Sequence, residues 1–260
     1  MPAVDVPECR SSEGATRGPT YYRNVIRQSI DPDALAPAYA AAHPFPHAVI
    51  DDFLEPDIAG RLADYLASVD VSEWPRDDHP DQVNKRWMPD PDRLEPVAAD
   101  ALRYFNSPAA LEFFERLTGI GPLIADDGYL GGGVHISGPG GRLGVHCDFN
   151  IHPDLGIHRR LNALLFLNRD WDPAWNGQLE LYDESLTEPV SLIDPGFNRL
   201  VIFSVTDRAF HGVPKRISCP DDRRRCSLAL YYYTAERPED EKGPFHWASW
   251  QRTGPDRDEE

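Results

Sequence analysis

From about Gly121 onward the chain is written in short apolar runs, and this most constrains its fold. "RLGVHCDF", "RLNALLFLN", "QLELYD", "NRLVIFSV" and "CSLALYYYT" are rich in leucine, β-branched and aromatic residues, and "GPGG", "WNG", "DPG" and "CPDD" part them. No helical pattern lies between these runs. The strands are therefore expected to pair antiparallel and to close as a sandwich or jelly roll.

The upstream half reads as helical. After Glu55-Pro56, the residues Ile58, Leu62, Tyr65, Leu66 and Val69 recur at three and four, one face of a helix. Ser107-Pro108 is a helix start, an N-cap followed by proline at the first helical position. Leu111, Phe114 and Leu117 form the buried stripe that follows, and Gly119 stops it. The expectation is an α+β unit with N-terminal helices packed on a β domain. A flexible tail over 1–20 precedes a single domain over 21–251, helical over about 45–120 and jelly-roll over about 121–236. An acidic tail over 252–260 ends the chain.

Composition narrows the function. Apolar residues make up 41% and aromatics 10%, which suits a packed core. The 43 acidic against 26 basic residues give −17, which repels phosphate backbones, so no nucleic-acid partner is expected. No run of about 18 apolar residues exists to span a membrane. The first residues lack the apolar core of a signal peptide, so the chain reads as cytoplasmic. The basic clusters Arg159-Arg160 and Arg223-Arg224-Arg225 have a solvated charged face as their default reading. Of the four cysteines, Cys9, Cys147, Cys219 and Cys226, none forms a C-x-x-C pair, and free thiols are the default in a reducing compartment. The sequence fixes no oligomeric state.

"GVHCDFNIH" carries the chemistry. Side chains alternate along a strand, so His146 and Asp148 point one way while Val145, Cys147 and Phe149 point the other. A buried carboxylate without a partner is costly, which favours a metal or a hydrogen-bonded pair. His79-Pro80-Asp81 and His152-Pro153-Asp154 share the spacing, but their central prolines cannot donate to a strand ladder. His211, after the strand "NRLVIFSV", is the third candidate ligand. Two histidines and a carboxylate form the facial triad of non-haem Fe(II) oxygenases, with open positions for co-substrate and oxygen. Zinc competes for the same set, and hydrogen-bonded core residues are the plain alternative. Further along, Arg225, Ser227, Ala229, Tyr231 and Tyr233 share a strand face. An arginine fork beside a hydroxyl can hold a carboxylate, as a 2-oxoglutarate enzyme requires.

With these residues in place, the chain resembles the prolyl 4-hydroxylase-like branch of the Fe(II)/2-oxoglutarate dioxygenases over roughly residues 45–236. "FPHAVIDDFL", "GGGVHISGPGGRLGVHCDFN", "RRLNALLFLNRDW", "FNRLVIFSVTDRAFHG" and "RCSLALYYYT" carry the resemblance. It implies a double-stranded β-helix (a jelly roll), with His146, Asp148 and His211 as catalytic iron ligands. Arg225, with Ser227 beside it, would bind the far carboxylate of 2-oxoglutarate. The implied cofactors are Fe(II), 2-oxoglutarate and O2, with ascorbate as a candidate reductant. The implied reaction oxidises 2-oxoglutarate to succinate and CO2 and hydroxylates a C–H bond of a small-molecule or peptidyl substrate. The sequence departs from the family at Phe166, where a tyrosine often bonds 2-oxoglutarate; Asn162 on the same face is the candidate replacement. His135, Arg160 and Trp247 are candidates for the substrate side, with structural roles equally open. The competing functions are a catalytically silent jelly-roll binding module and a zinc-dependent hydrolase, the latter lacking an H-E-x-x-H helix.

Overall fold

The structure is a computed structural model describing residues 25–253. The expected tail over 1–20, Cys9 and most of the tail over 252–260 lie outside the described residues.

Helix α1 (Pro32–Ala41) is followed by strand β1 (His47–Ile50) and helix α2 (Pro56–Ser68). The helix α2 buries Ile58, Leu62, Tyr65 and Leu66, as the spacing predicts. The span expected to be helical is then interrupted. Strands β2 (Arg76–His79) and β3 (Gln82–Met88) form a hairpin whose turn holds Pro80 and Asp81. Its sequence, "RDDH" and "QVNKRWM", is mostly polar and lacks the apolar alternation that would announce a strand. Helices α3 (Pro96–Phe105) and α4 (Pro108–Thr118) complete the helical layer. Helix α4 starts at Pro108 and stops at a left-handed Gly119 (φ 70°), as expected. Ser107 occupies the cap position, but its buried hydroxyl makes no cap bond.

The β domain follows: β4 (Ile124–Ala125), β5 (Gly133–Cys147), β6 (His158–Leu167), β7 (Leu179–Tyr182), β8 (Ser191–Ile193), β9 (Phe197–Ser204), β10 (Phe210–Val213), β11 (Arg225–Thr234) and β12 (Ser249–Trp250). Neighbours run β1-β9-β6-β11-β5-β10-β7-β8, and each adjacent pair in this order is antiparallel. The sheet curls strongly on itself as a double-stranded β-helix. Strand β5 makes the curl. Its first part pairs with β11 and β3, and its last part with β10 and β12. The "GPGG" expected to separate strands lies inside β5 as a bend, with Gly140 at φ 79°.

Alternation sorts the side chains into two layers. Leu161, Ala163 and Leu165 of β6 and Leu228, Leu230 and Tyr232 of β11 join the helices in the main core. Their neighbours Asn162, Leu164, Ser227 and Tyr231 instead face a cavity inside the curl. The helices thus cover the outer face of one sheet and leave the inner face for chemistry.

Candidate active site

The cavity holds about 550 Å³ and is lined by His146, Asp148, His211, Arg225, Ser227 and Asn162, among others. Strand register brings the histidines together: His211 of β10 lies opposite His146 of β5. The close approach depends on Gly212, where a Cβ would stand 2.8 Å from the Gly144 carbonyl oxygen. Asp148 follows one residue after β5 ends.

His146 Nε2 lies 3.6 Å from Asp148 Oδ1, and His211 Nε2 lies 3.5 Å from Asp148 Oδ2. All three residues are buried, and their ligand atoms lie within 4.8 Å of one another. His146 Nδ1 donates to the Gly144 carbonyl and His211 Nδ1 to that of Ala209, each at 2.9 Å. These bonds fix the tautomers and turn both Nε2 lone pairs toward Asp148, the arrangement a metal-ligating imidazole needs. The donor set could hold a metal ion. Burial pulls His211 down to about 4, with nearby Asp148 opposing and His146 adding to the effect.

The carboxylate has two further partners. Asn162 Nδ2 donates to Asp148 Oδ2 at 2.7 Å, and Arg159 Nη2 lies 3.2 Å from Oδ1. Burial works against the charge of Asp148, but Arg159 above all, then His211 and His146, hold its pKa well below the usual carboxylate range. The Arg159 Nε and Nη2 also donate to Asn162 Oδ1, at 3.0 and 2.7 Å. Its guanidinium lies 3.5 Å from the Tyr231 ring centroid and 4.5 Å from that of Phe149. These contacts bear on one expectation and revise another. Asn162, the candidate co-substrate contact, lines the cavity and bonds both Asp148 and Arg159. The pair Arg159-Arg160 is no solvated face: both residues are buried, and Arg160 bonds Thr234 and Glu241 away from the cavity. Strand alternation would put Arg160, not Arg159, on the face of Asn162; a bulge between Leu161 and Arg159 reverses this, and nothing in "HRRLN" announces it.

Arg225 occupies the far end of the cavity. Its Nε donates to the Gly177 carbonyl at 2.8 Å and its guanidinium packs on Phe166, 4.7 Å from the ring centroid. Burial pulls its pKa down to about 10, and no carboxylate among the described residues forms an ion pair with it. Its sequence neighbours point elsewhere, Arg224 to the Val69 carbonyl and Arg223 to that of Arg169. Ser227 lies beside Arg225 on the same face, paired across to His135 and Phe166. His135 lines the cavity, and burial holds its pKa well below the ordinary range. Trp247 lines the edge of the cavity. Tyr233 leaves the shared face at a bulge and packs on His152. The two look-alike histidines sit apart from the triad: His152 lies against Asp126 at 3.6 Å, and His79 stacks on Trp250.

A curled antiparallel sheet with a buried two-histidine, one-carboxylate set in its mouth is the arrangement of an oxygenase jelly roll. Residues 132–233 match the model of the 2OG-Fe(II) oxygenase superfamily. That stretch of the chain resembles this superfamily. A Mus musculus relative, prolyl 3-hydroxylase OGFOD1, is 31% identical over 86 residues, 32% of this chain. The matched stretch covers 15% of the relative's length. Among solved structures, a Pseudomonas putida prolyl-4-hydroxylase shares the fold at TM-score 0.54 and 20% identity, over 78% of this chain and 98% of that one. A prolyl 4-hydroxylase of Phytophthora capsici does so at TM-score 0.55 and 16% identity, over 86% and 74%. A Trichoplax adhaerens prolyl hydroxylase, solved with a hypoxia inducible factor peptide, gives 0.52 and 21%, over 77% and 88%.

Proposed function

We propose that the chain is a non-haem Fe(II)/2-oxoglutarate-dependent dioxygenase that hydroxylates an unactivated C–H bond. The observation that carries this reading is one cavity with the triad at one end and a half-buried, carboxylate-free guanidinium at the other. The two groups suit the two ends of a keto-diacid. In this reading His146 Nε2, Asp148 and His211 Nε2 hold Fe(II), and Arg225 with Ser227 takes the far carboxylate. Asn162 and Arg159 hold Asp148 in place. The iron, when bound, supplies the redox chemistry by which O2 oxidises 2-oxoglutarate to succinate and CO2 and oxygenates the substrate. Ascorbate would serve as an auxiliary reductant.

The substrate is a small molecule or a residue in a peptide; the prolyl hydroxylases among the relatives support the peptidyl form. A reducing, cytoplasmic setting is supported by Cys147, Cys219 and Cys226, all buried free thiols. Among the described residues no helix is long and apolar enough to cross a membrane. A zinc hydrolase fits less well. Asp148 is the one carboxylate among the described lining residues, and as a ligand it leaves no carboxylate to act as general base.

The test is succinate release under Fe(II), 2-oxoglutarate and O2 across a panel of peptides and metabolites. Mass spectrometry should show a gain of one oxygen on the responsive substrate. Metal binding without any 2-oxoglutarate binding would end the reading.

A further inference from the structure

The segment after β11 lies outside the family match and returns across the cavity. Asn150, two residues beyond Asp148, clips it: Nδ2 donates to the Pro244 carbonyl at 2.9 Å, and Oδ1 accepts from His246 N at 3.2 Å. His246 holds the segment from its own side. Its Nε2 lies 3.0 Å from Asp207 Oδ1 and its Nδ1 2.8 Å from the Trp247 carbonyl oxygen. Strand β12 then pairs Ser249 with Cys147 and Trp250 with His146, and Gln251 N donates to the Val145 carbonyl at 2.7 Å.

Two indoles are delivered by this path. Trp250 sets its ring 4.9 Å from that of His146 and 5.0 Å from that of His79, so it joins the hairpin tip to a candidate iron ligand. Trp247 stands at the cavity edge beside Phe149 and Phe245, with 59% of its surface exposed. A large aromatic held exposed at the edge of a cavity is an unfilled contact surface. The segment is tied by a handful of polar bonds rather than by core packing, so it can open at lower free energy than the sheet beneath it.

We propose that residues 244–251 are the substrate-side wall of the site, with Trp247 and Trp250 as specificity-determining residues and Asn150 and His246 as positioning residues that hold the wall in place. The proposal rests on the dioxygenase reading above. An indole face favours a flat C–H-bearing face over a charged anion. The substrate class is therefore one that presents a saturated ring, either a prolyl ring in a peptide or a sugar ring.

The experiment uses the full chain loaded with Mn(II) and 2-oxoglutarate in the absence of oxygen. A proline-containing tripeptide and glucose are each titrated calorimetrically into wild type, Trp247→Ala, Trp247→Phe and His246→Ala. One probe should bind wild type, lose at least about tenfold in affinity in Trp247→Ala and His246→Ala, and recover in Trp247→Phe. Which probe binds tells the peptide from the sugar. Hydrogen exchange of Trp250 and Gln251 should speed up in His246→Ala, a change that loss of a side-chain contact alone would not produce. Trp247 is too exposed for its removal to unfold the protein, and a circular dichroism melt checks this. Binding of neither probe, or equal binding to wild type and Trp247→Ala, overturns the proposal. Absence of 2-oxoglutarate binding to wild type would instead remove the dioxygenase reading and leave the wall without a reaction to serve.

Discussion

Arg159 Nη2 stands 3.2 Å from Asp148 Oδ1, and both side chains are almost sealed from solvent. The site therefore carries its own counter-charge for the carboxylate. Removing one partner of such a buried pair leaves the other uncompensated, a loss of about 3–5 kcal/mol. Arg159→Met should lose that much stability in metal-free protein and clearly less with Mn(II) present, because a bound cation replaces the guanidinium. Denaturant unfolding with and without Mn(II) measures both. Equal losses in the two states would separate Arg159 from the metal site.

The histidines divide sharply. His146→Ala and His211→Ala each remove a candidate ligand and should lower Fe(II) or Mn(II) affinity by more than about a hundredfold while the sheet still folds. His152→Ala should leave metal affinity within about threefold, because His152 serves Asp126 and Tyr233 instead. His79→Ala should also remain close to wild type, since it reaches the site only through Trp250. Metal titration by calorimetry gives all four. Unchanged affinity in both His146→Ala and His211→Ala would end the triad assignment.

Three consecutive arginines make a register test. Arg225→Ala should leave the far carboxylate of 2-oxoglutarate unpaired, a loss of about 2–5 kcal/mol. At about 1.4 kcal/mol per tenfold, the 2-oxoglutarate Kd rises on the order of 30- to several-thousand-fold. Arg223→Ala and Arg224→Ala, bonded to the carbonyls of Arg169 and Val69, should change it by less than about threefold. Oxygen-free titration of the Mn(II)-loaded variants decides among them, and a large loss in Arg224→Ala alone would contradict the assignment.

Acidity should tighten the C-terminal segment. Both ring nitrogens of His246 face acceptors, Asp207 Oδ1 and the Trp247 carbonyl oxygen, which suits the doubly protonated ring. Burial and Arg237 oppose the charge, but the bonds to Asp207 and Trp247 outweigh them and raise its pKa. A raised folded pKa means the stabilisation is complete below the unfolded value, near 6.5, and is lost as pH rises through the folded value. Hydrogen exchange of Trp250 and Gln251, corrected for intrinsic rate, should therefore show protection falling from pH 6 to pH 8. Protection that stays flat in wild type, as expected for His246→Ala, would remove the histidine from this role.

The parts legible in the sequence are those set by local periodicity. Alternation places His146 and Asp148 together and Arg225 with Ser227, and helical spacing finds the buried faces of α2 and α4. What stayed hidden depends on long-range pairing. The β2–β3 hairpin is mostly polar, so it is pairing with β5 that makes it part of the sheet. Strand β12 is two residues long and exists because Cys147 and His146 lie opposite it. The burial of Arg159 is set by Phe149, Tyr231 and Asn162, which come from three places in the chain.

The bend inside β5 makes one strand a caliper. Before it, Ser137 lies opposite Arg225; after it, His146 lies opposite His211. Across "GPGG" strand β5 advances from Ser137 to Arg142 while its partner β3 advances only from Lys85 to Val83, so the glycine stretch bulges out and β3 sets the spacing between the Arg225 end of the cavity and the histidine end.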